Sequence, residues 1–324
     1  MSLSVHIVTP SEPEFAELLK PLLTEDLILS HGETNKSSAD YKILVAGVPE
    51  ESQITASAQL EKLIIPWSGL PKATRVLMKR FAQIAVHNLH HNSQAVAEMA
   101  LTLMLCAIKK IIPCDLKLRQ GDWTPRYENS QFSLLLGKSV LIIGYGSIGR
   151  EIGQLCQGLG LNIRAISKNG NSVDRDAMEI FGVGALPDLL PECDIVFITV
   201  PLTDETRGLI GAKELALLPQ NTVLINVARG SVVDQAALYQ ALKDKKISAG
   251  LDVWYHYPDS EESRKNTMPA DFPFHELDNV VMTPHLAGHS ENIEELRAQA
   301  LAELLNAAAR SEPMPNRVDL DMGY

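Results

Sequence analysis

Val140-Leu-Ile-Ile-Gly144-Tyr-Gly146-Ser-Ile-Gly149 decides how this chain is read. Four apolar residues run without a polar break into G-x-G-x-x-G, and a helical pattern follows. In that context Gly144 allows a tight turn, Gly146 lets a pyrophosphate approach the backbone, and Gly149 permits close packing of helix on strand. The helix N-terminus then favours the anion. A glycine turn can also serve packing alone. Here the strand before it, the helix after it and a second strand candidate at Asn162–Ile166 complete a βαβ unit, so a dinucleotide site is expected.

Working outward, further strand candidates follow at Ser139–Ile143, 194–200, Thr222–Asn226, 247–253 and Val280–Met282. Most are spaced widely enough for a crossover helix, as in a doubly wound parallel sheet. Upstream, 5–8, 43–46 and 63–65 read as buried strands and 14–23 as a helix, so the first part is also α/β. A long amphipathic helix is expected over 93–112, stopped by Pro113, with 121–125 as a connecting loop. A last helix is expected over 291–310. The fold class is therefore α/β, with two Rossmann-like or flavodoxin-like domains and a doubly wound parallel sheet in the dinucleotide domain. Residues 1–94 and 290–324 are expected to form the substrate domain, and 95–289 the NAD(P)-binding domain inserted into it. The acidic, proline-bearing stretch 255–278 reads as too polar for core and as a covering loop.

The length of 324 residues suits two domains. With 29 Lys plus Arg against 40 Asp plus Glu the net charge is −11, and no basic block offers a nucleic-acid or anionic-membrane surface. No signal-peptide pattern opens the chain and no apolar run is long enough to span a bilayer. Cys106, Cys114, Cys156 and Cys193 form no C-x-x-C pair and read as reduced core residues. A soluble, cytoplasmic protein is expected.

The end of the second strand bears on the choice of dinucleotide. An NAD site usually carries an acidic residue there for the ribose hydroxyls. This chain has Ile166-Ser167-Lys168, in which Ser167 can donate to a 2′-phosphate and Lys168 can neutralise it. NADP(H) is the expected cofactor, with NAD(H) the alternative if the turn is merely polar.

Three later strand candidates end in Val227-Ala228-Arg229-Gly230, Asp252-Val253-Trp254 and Thr283-Pro284-His285. Ligands of open α/β sheets bind outside the carboxyl ends of the strands, so Arg229, Asp252 and His285 converge on one crevice. Singly each has a bland reading: a surface arginine, a capping aspartate, a core histidine. With the glycine motif, Thr199-Val200-Pro201-Leu-Thr203 and Gly250-Leu-Asp252-Val253 they form an ordered set. From about Ala95 to His289 the chain thereby resembles the D-isomer-specific 2-hydroxyacid dehydrogenase family. Trp67-Ser68-Gly69-Leu70 is similar, more loosely, to that family's loop holding a substrate carboxylate with backbone N–H groups.

The resemblance implies reduction of a small 2-oxo acid, glyoxylate-like or hydroxypyruvate-like, to a D-2-hydroxy acid. Arg229 would clamp the carboxylate and carbonyl oxygens with its planar fork. His285 would be the general acid/base, and Trp67, Ser68, Gly69 and Leu70 would bind substrate, placing the reaction in the cleft between the domains. Cofactor contacts are implied for Gly144, Gly146, Ser147, Ile148, Gly149, Ser167, Lys168, Val200, Pro201, Thr206, Val227, Ala228, Arg229, Asp252, His285 and Gly288. A homodimer is implied around the apolar stretch 99–106. One position departs from the pattern: Tyr257 stands where the family has the glutamate paired with the histidine. A phenol (pKa ~10) can orient an imidazole but cannot favour its charged form as a carboxylate does. The alternative is therefore a catalytically weak NAD(P)-binding regulatory or sensing protein.

No metal site is expected. His87 and His91, like His285 and His289, are spaced i, i+4, but no third ligand is identifiable and Pro284 and Gly288 make the second pair a turn. His87, His90 and His91 read as a polar loop before a helix.

Overall fold

The computed structural model describes residues 2–324 apart from 11–12, 33–38, 129–131, 169, 171 and 174–177. Two compact units emerge, residues 1–92 with 289–324 and residues 93–288.

The first unit is built on a parallel sheet of β1 (Leu3–Ile7), β2 (Leu27–His31), β3 (Ile43–Val45), β4 (Lys62–Ile65) and β5 (Ala85–Asn88), in the order β2-β1-β3-β4-β5. One face of this sheet (Val5, Ile7, Ile43, Val45, Ile64) packs against Leu301, Leu304 and Leu305 of the Ile293–Ala309 helix. The other face, with Leu44, Leu63, Ile65 and Val86, packs on Met78 and Ile54. Two strands, β2 and β5, are not among the sequence candidates, although β2 opens on the apolar run Leu27-Ile28-Leu29. In β2 burial alternates because it is an edge strand. In β5 the buried residues include His87 and Asn88, whose polar atoms bond the Pro315 and Ser68 carbonyls.

The second unit holds β6 (Ser139–Ile143), β7 (Asn162–Ile166), β8 (Ser172–Val173), β9 (Glu179–Phe181), β10 (Ile195–Ile198), β11 (Thr222–Asn226), β12 (Ile247–Leu251) and β13 (Val280–Met282). Their order is β13-β12-β11-β10-β6-β7-β9-β8, parallel throughout except for the β8–β9 pair. The chain moves outward from β6 on one side and returns to its other side at β10, which is the switch point of a doubly wound sheet. Both faces are covered at the centre of the sheet, so β6, β10 and β11 read as near-continuous apolar runs. Leu141, Ile143, Val196 and Ile198 belong to one core layer, and Val140, Ile142, Ile195 and Phe197 to the other.

The Ser93–Ile108 helix buries Val96, Ala97, Ala100, Leu103, Met104 and Ile108 at i, i+3/i+4 spacing. It ends four residues earlier than its apolar pattern suggests. Lys110 adopts φ 49°, and a separate helix, Ile111–Arg119, carries Pro113 in its first turn, where no intrahelical N–H is required. Leu101 and Leu105, across the stripe, are only partly buried.

The 255–278 stretch corrects an expectation. It is not too polar for core: Phe274 is 1% exposed and Ala270 is buried. Phe274 meets Tyr239 and Trp254 edge-on, with ring centroids 5.5 and 6.2 Å away. Asp271 bonds both His256 and Gln235, pinning the stretch to its own unit. Phe272, stacked on Tyr239, and Tyr255 pack beside it, so a few apolar side chains outweigh the local polar composition. Among the described residues no helix is long and apolar enough to cross a membrane.

Candidate active site

The turn after β6 has the geometry its glycines suggest. Gly144 has φ 105°, and a Cβ there would lie 2.8 Å from the Val200 nitrogen. Thr199 at the end of β10 donates its hydroxyl to the Gly144 carbonyl at 2.5 Å, a link that only the fold reveals. A Cβ on Gly149 would come within 2.2 Å of the same carbonyl oxygen, so the Ser147–Gly158 helix rests directly on the turn. Gly146 differs: no described atom lies within 4 Å of where its Cβ would be. That open position next to a helix N-terminus fits a pyrophosphate, which needs close approach to backbone and a positive dipole end. Ser147 and Ile148 open the helix itself.

Beyond β7, Ser167 is partly buried and Lys168 is exposed, and the Lys168 ammonium lies 2.7 Å from the Glu205 carboxylate. Glu205 belongs to a turn after β10 that carries Val200, Pro201 and Thr206. The Thr206 hydroxyl donates to the Pro201 carbonyl at 2.5 Å and accepts from the Thr203 N–H at 2.8 Å.

Arg229 follows β11, on a turn set by Asn226. The buried Asn226 amide accepts from the Ala228 N–H at 3.0 Å and donates to the Arg229 carbonyl at 3.1 Å. Val227 and Ala228 are buried beneath it. Gly230 allows this turn to lie on the next one, because a Cβ there would be 2.4 Å from the Trp254 carbonyl oxygen. The Arg229 guanidinium is exposed and donates to the Ala228 carbonyl.

Asp252, just past β12, is fully buried. Its Oδ1 accepts from the Thr283 hydroxyl at 2.6 Å and the Leu286 N–H at 2.8 Å, and its Oδ2 from the Ala287 N–H at 2.9 Å. The segment so held contains His285, at φ 58°, and leads into Gly288. A non-glycine residue in the left-handed region is disfavoured locally, so these three bonds offset that cost and hold His285 in place.

Tyr257 stands beside His285, with ring centroids 5.5 Å apart and planes at 54°. Its hydroxyl accepts from the Trp254 N–H at 3.1 Å. Burial raises its pKa above 10; the Trp254 hydrogen bond and the Arg229 charge oppose that shift, while Asp252 adds to it. It therefore stays an uncharged phenol at neutral pH. Arg229, Asp252, Tyr257 and His285 are thus neighbours within one unit. Trp254 anchors the group by donating its indole N–H to the Thr283 carbonyl.

The Trp67–Leu70 segment belongs to the first unit, after β4. The Trp67 ring fills the space a Gly47 Cβ would need. Asn88 donates to the Ser68 carbonyl, and the Ser68 hydroxyl donates to Asn92, both at 2.6 Å. These two bonds fix the Ser68 side chain and carbonyl within the first unit. Asn88 and Asn92 escaped sequence reading, while Thr199, Asn226 and Thr283 stand in its motifs without the hydrogen-bonding roles the fold gives them. Small polar residues closing apolar strands are the one signal that could have found them.

His90 and His91 line a cavity of about 240 Å³ with Leu296, Gln299, Glu303 and Asn316. Burial, with the charges of Arg297 and His90, brings His91 down to about 4, so it is neutral at pH 7. Among the described residues no group of three His, Cys, Asp or Glu is placed to hold a metal.

Comparison with known proteins adds four findings. The family model for the D-isomer specific 2-hydroxyacid dehydrogenase NAD binding domain matches residues 101–287. A D-3-phosphoglycerate dehydrogenase of Methanocaldococcus jannaschii is 32% identical over 71% of this chain but only 42% of its own length. A glyoxylate reductase of Korarchaeum cryptofilum is 34% identical over 71% of this chain and 67% of its own. The solved D-isomer specific 2-hydroxyacid dehydrogenase of Xanthobacter autotrophicus Py2, in complex with NADPH and MES, superposes with a TM-score of 0.80 at 26% identity, covering all of both chains.

Proposed function

Since the chain belongs to the D-isomer-specific 2-hydroxyacid dehydrogenase family, nicotinamide-dependent oxidoreductases acting on CH–OH groups, we propose that it reduces a small 2-oxo acid to the D-2-hydroxy acid. Glyoxylate and hydroxypyruvate are the leading substrate candidates. NADPH is the preferred cofactor, with NADH the alternative. The observation carrying this reading is the gathering of Arg229, Asp252, Tyr257 and His285 at the carboxyl ends of β11 to β13, in the unit that carries the Gly144–Gly149 turn.

A nicotinamide cofactor held at the Gly144–Gly149 turn would supply the hydride for reduction of the substrate carbonyl. The guanidinium of Arg229 turns from its own backbone to hold the carboxylate and carbonyl oxygens, where its fixed positive charge stabilises the developing alkoxide. His285 delivers the proton to that oxygen, a role worth about 10²–10⁴-fold. Tyr257 bounds the imidazole from one side and provides an uncharged donor. Backbone N–H groups of Ser68 and Gly69 hold the substrate carboxylate, with Trp67 and Leu70 shaping the loop. Ser167 and Lys168 take the 2′-phosphate.

The test follows nicotinamide absorbance with a panel of 2-oxo acids against NADPH and NADH. Turnover of at least one short 2-oxo acid is expected, faster with NADPH. Tight NADPH binding without turnover of any acid would move the sensing reading ahead, with Tyr257 as its explanation.

The proposal includes a homodimer. Ile111, Ile112, Leu116, Leu118, Trp123, Leu134 and Leu136 are all exposed, the last two at 70% each. They follow the Ser93–Ile108 helix in sequence, whose Leu101 and Leu105 are half-buried, and exposed apolar side chains of this kind support an interface between copies. Light scattering is expected to give twice the chain mass, and the double variant Leu134→Asp, Leu136→Asp the single mass. A wild-type monomer would refute the dimer.

A further inference from the structure

The ion pair between Lys168 and Glu205 occupies an informative position. In the sheet, β6 lies between β7 and β10. Lys168 follows β7 by two residues and Glu205 follows β10 by seven. Neighbouring strands are about 4.8 Å apart, so the flanking strands stand roughly 10 Å from each other across β6. A lysine and a glutamate reaching toward each other can span that distance. Their contact, 2.7 Å, therefore passes over the carboxyl end of β6, where the Gly144–Gly149 turn begins.

Both ends are anchored. The Ser167 N–H donates to the Phe181 carbonyl at 2.9 Å, which fixes the backbone just before Lys168. Glu205 projects from the turn that Thr203 and Thr206 hold closed through reciprocal hydrogen bonds. The side chains themselves are open to water, 39% exposed for Lys168 and 71% for Glu205. An exposed pair of this kind is weakly held and can be opened by a stronger anion.

We propose that Glu205 is a specificity-determining residue that limits the preference for NADPH over NADH. This rests on the assignment of Lys168 to the 2′-phosphate. Glu205 shares the lysine's charge in the free protein, and a 2′-phosphate must displace or crowd that carboxylate to reach the ammonium. The 2′-hydroxyl of NADH carries no charge, meets no such opposition and can donate to the carboxylate. A Rossmann site for NAD usually carries this acid at the end of its second strand. Here Ser167 and Lys168 occupy that end, and the acid arrives from the turn after β10. The cofactor preference is thus the outcome of a lysine and a glutamate acting on one another, not of Lys168 alone.

The experiment measures dissociation constants for NADPH and NADH by nucleotide fluorescence, without turnover, in wild type, Lys168→Met, Glu205→Gln and the double variant. Glu205→Gln is expected to raise the NADPH-to-NADH affinity ratio about fivefold, in line with losing one exposed like charge. Lys168→Met is expected to lower it about tenfold or more, and the Glu205→Gln gain to shrink to about twofold in the double variant, because the carboxylate acts largely through the lysine it neutralises. A ratio that falls in Lys168→Met yet stays unchanged in Glu205→Gln would overturn the role of Glu205 and leave the lysine assignment standing. A ratio unchanged in Lys168→Met would overturn that assignment itself. A Glu205→Gln effect that persists undiminished in the double variant would overturn the coupling. Thermal melts of the variants guard against misfolding, which is not expected at such exposed positions.

Discussion

Asp252→Ala is expected to lower kcat for 2-oxo acid reduction by about 10²–10³-fold, because displacing a reacting group by about 1 Å already costs on the order of 10²-fold. The substitution removes no group that needs to touch substrate. It removes the acceptor for the Thr283 hydroxyl and the Leu286 and Ala287 N–H groups. Without it the segment is free to leave the left-handed conformation of His285, and the imidazole moves with it. Stranding buried donors also costs about 1–3 kcal/mol apiece, so Tm should fall as well. Asp252→Asn keeps the shape and one acceptor oxygen but turns an amide N–H₂ toward an N–H donor. It should fall between wild type and Asp252→Ala in both rate and Tm. Steady-state kinetics with thermal melts check this. An Asp252→Ala enzyme within threefold of wild-type kcat would show that something else positions His285.

Gly149→Ala and Gly146→Ala are expected to diverge although the chemical change is the same. At Gly149 the added methyl meets the Gly144 carbonyl oxygen at 2.2 Å and Ile142 at 3.3 Å, so helix and turn must separate. Overpacking of this kind costs about 1–3 kcal/mol, and Tm and NADPH affinity should fall together. At Gly146 the methyl enters open space, so Tm should stay within a degree or two of wild type. NADPH affinity should nevertheless drop about tenfold or more, equivalent to ~1.4 kcal/mol, because the methyl stands where the pyrophosphate approaches. Calorimetry for folding and fluorescence titration for binding separate the two. If Gly146→Ala binds NADPH as wild type does, the pyrophosphate lies elsewhere.

The strands that carry the site were legible because their signals are local. Ser139–Ile143, Asn162–Ile166, Thr222–Asn226 and Val280–Met282 begin and end where the sequence pattern places them. Ser139–Ile143, Thr222–Asn226 and Val280–Met282 are built on short apolar runs, and Asn162–Ile166, interrupted by Arg164, stands at βαβ distance from the glycine motif. Where burial depends on neighbours the pattern faded. The edge strand Leu27–His31 is half exposed, and Ala85–Asn88 buries a histidine and an asparagine that are satisfied only by distant carbonyls. Phe274, in a stretch acidic on balance, became core because Tyr239 and Trp254 were there to receive it.

The same division runs through the site. Residue type and spacing carried the resemblance to the family, the α/β fold class and the expectation that Arg229, Asp252 and His285 are the chemically able groups, since each follows a strand whose end the local pattern marks. Tertiary structure alone decided what those groups do to one another. The donors to Asp252 lie 31, 34 and 35 residues further along, and Glu205 is 37 residues from Lys168. A hydrogen bond or ion pair is set by separation in space to within about an ångström, and the order of residues along a chain carries no such distance until the sheet has fixed which strand ends stand side by side.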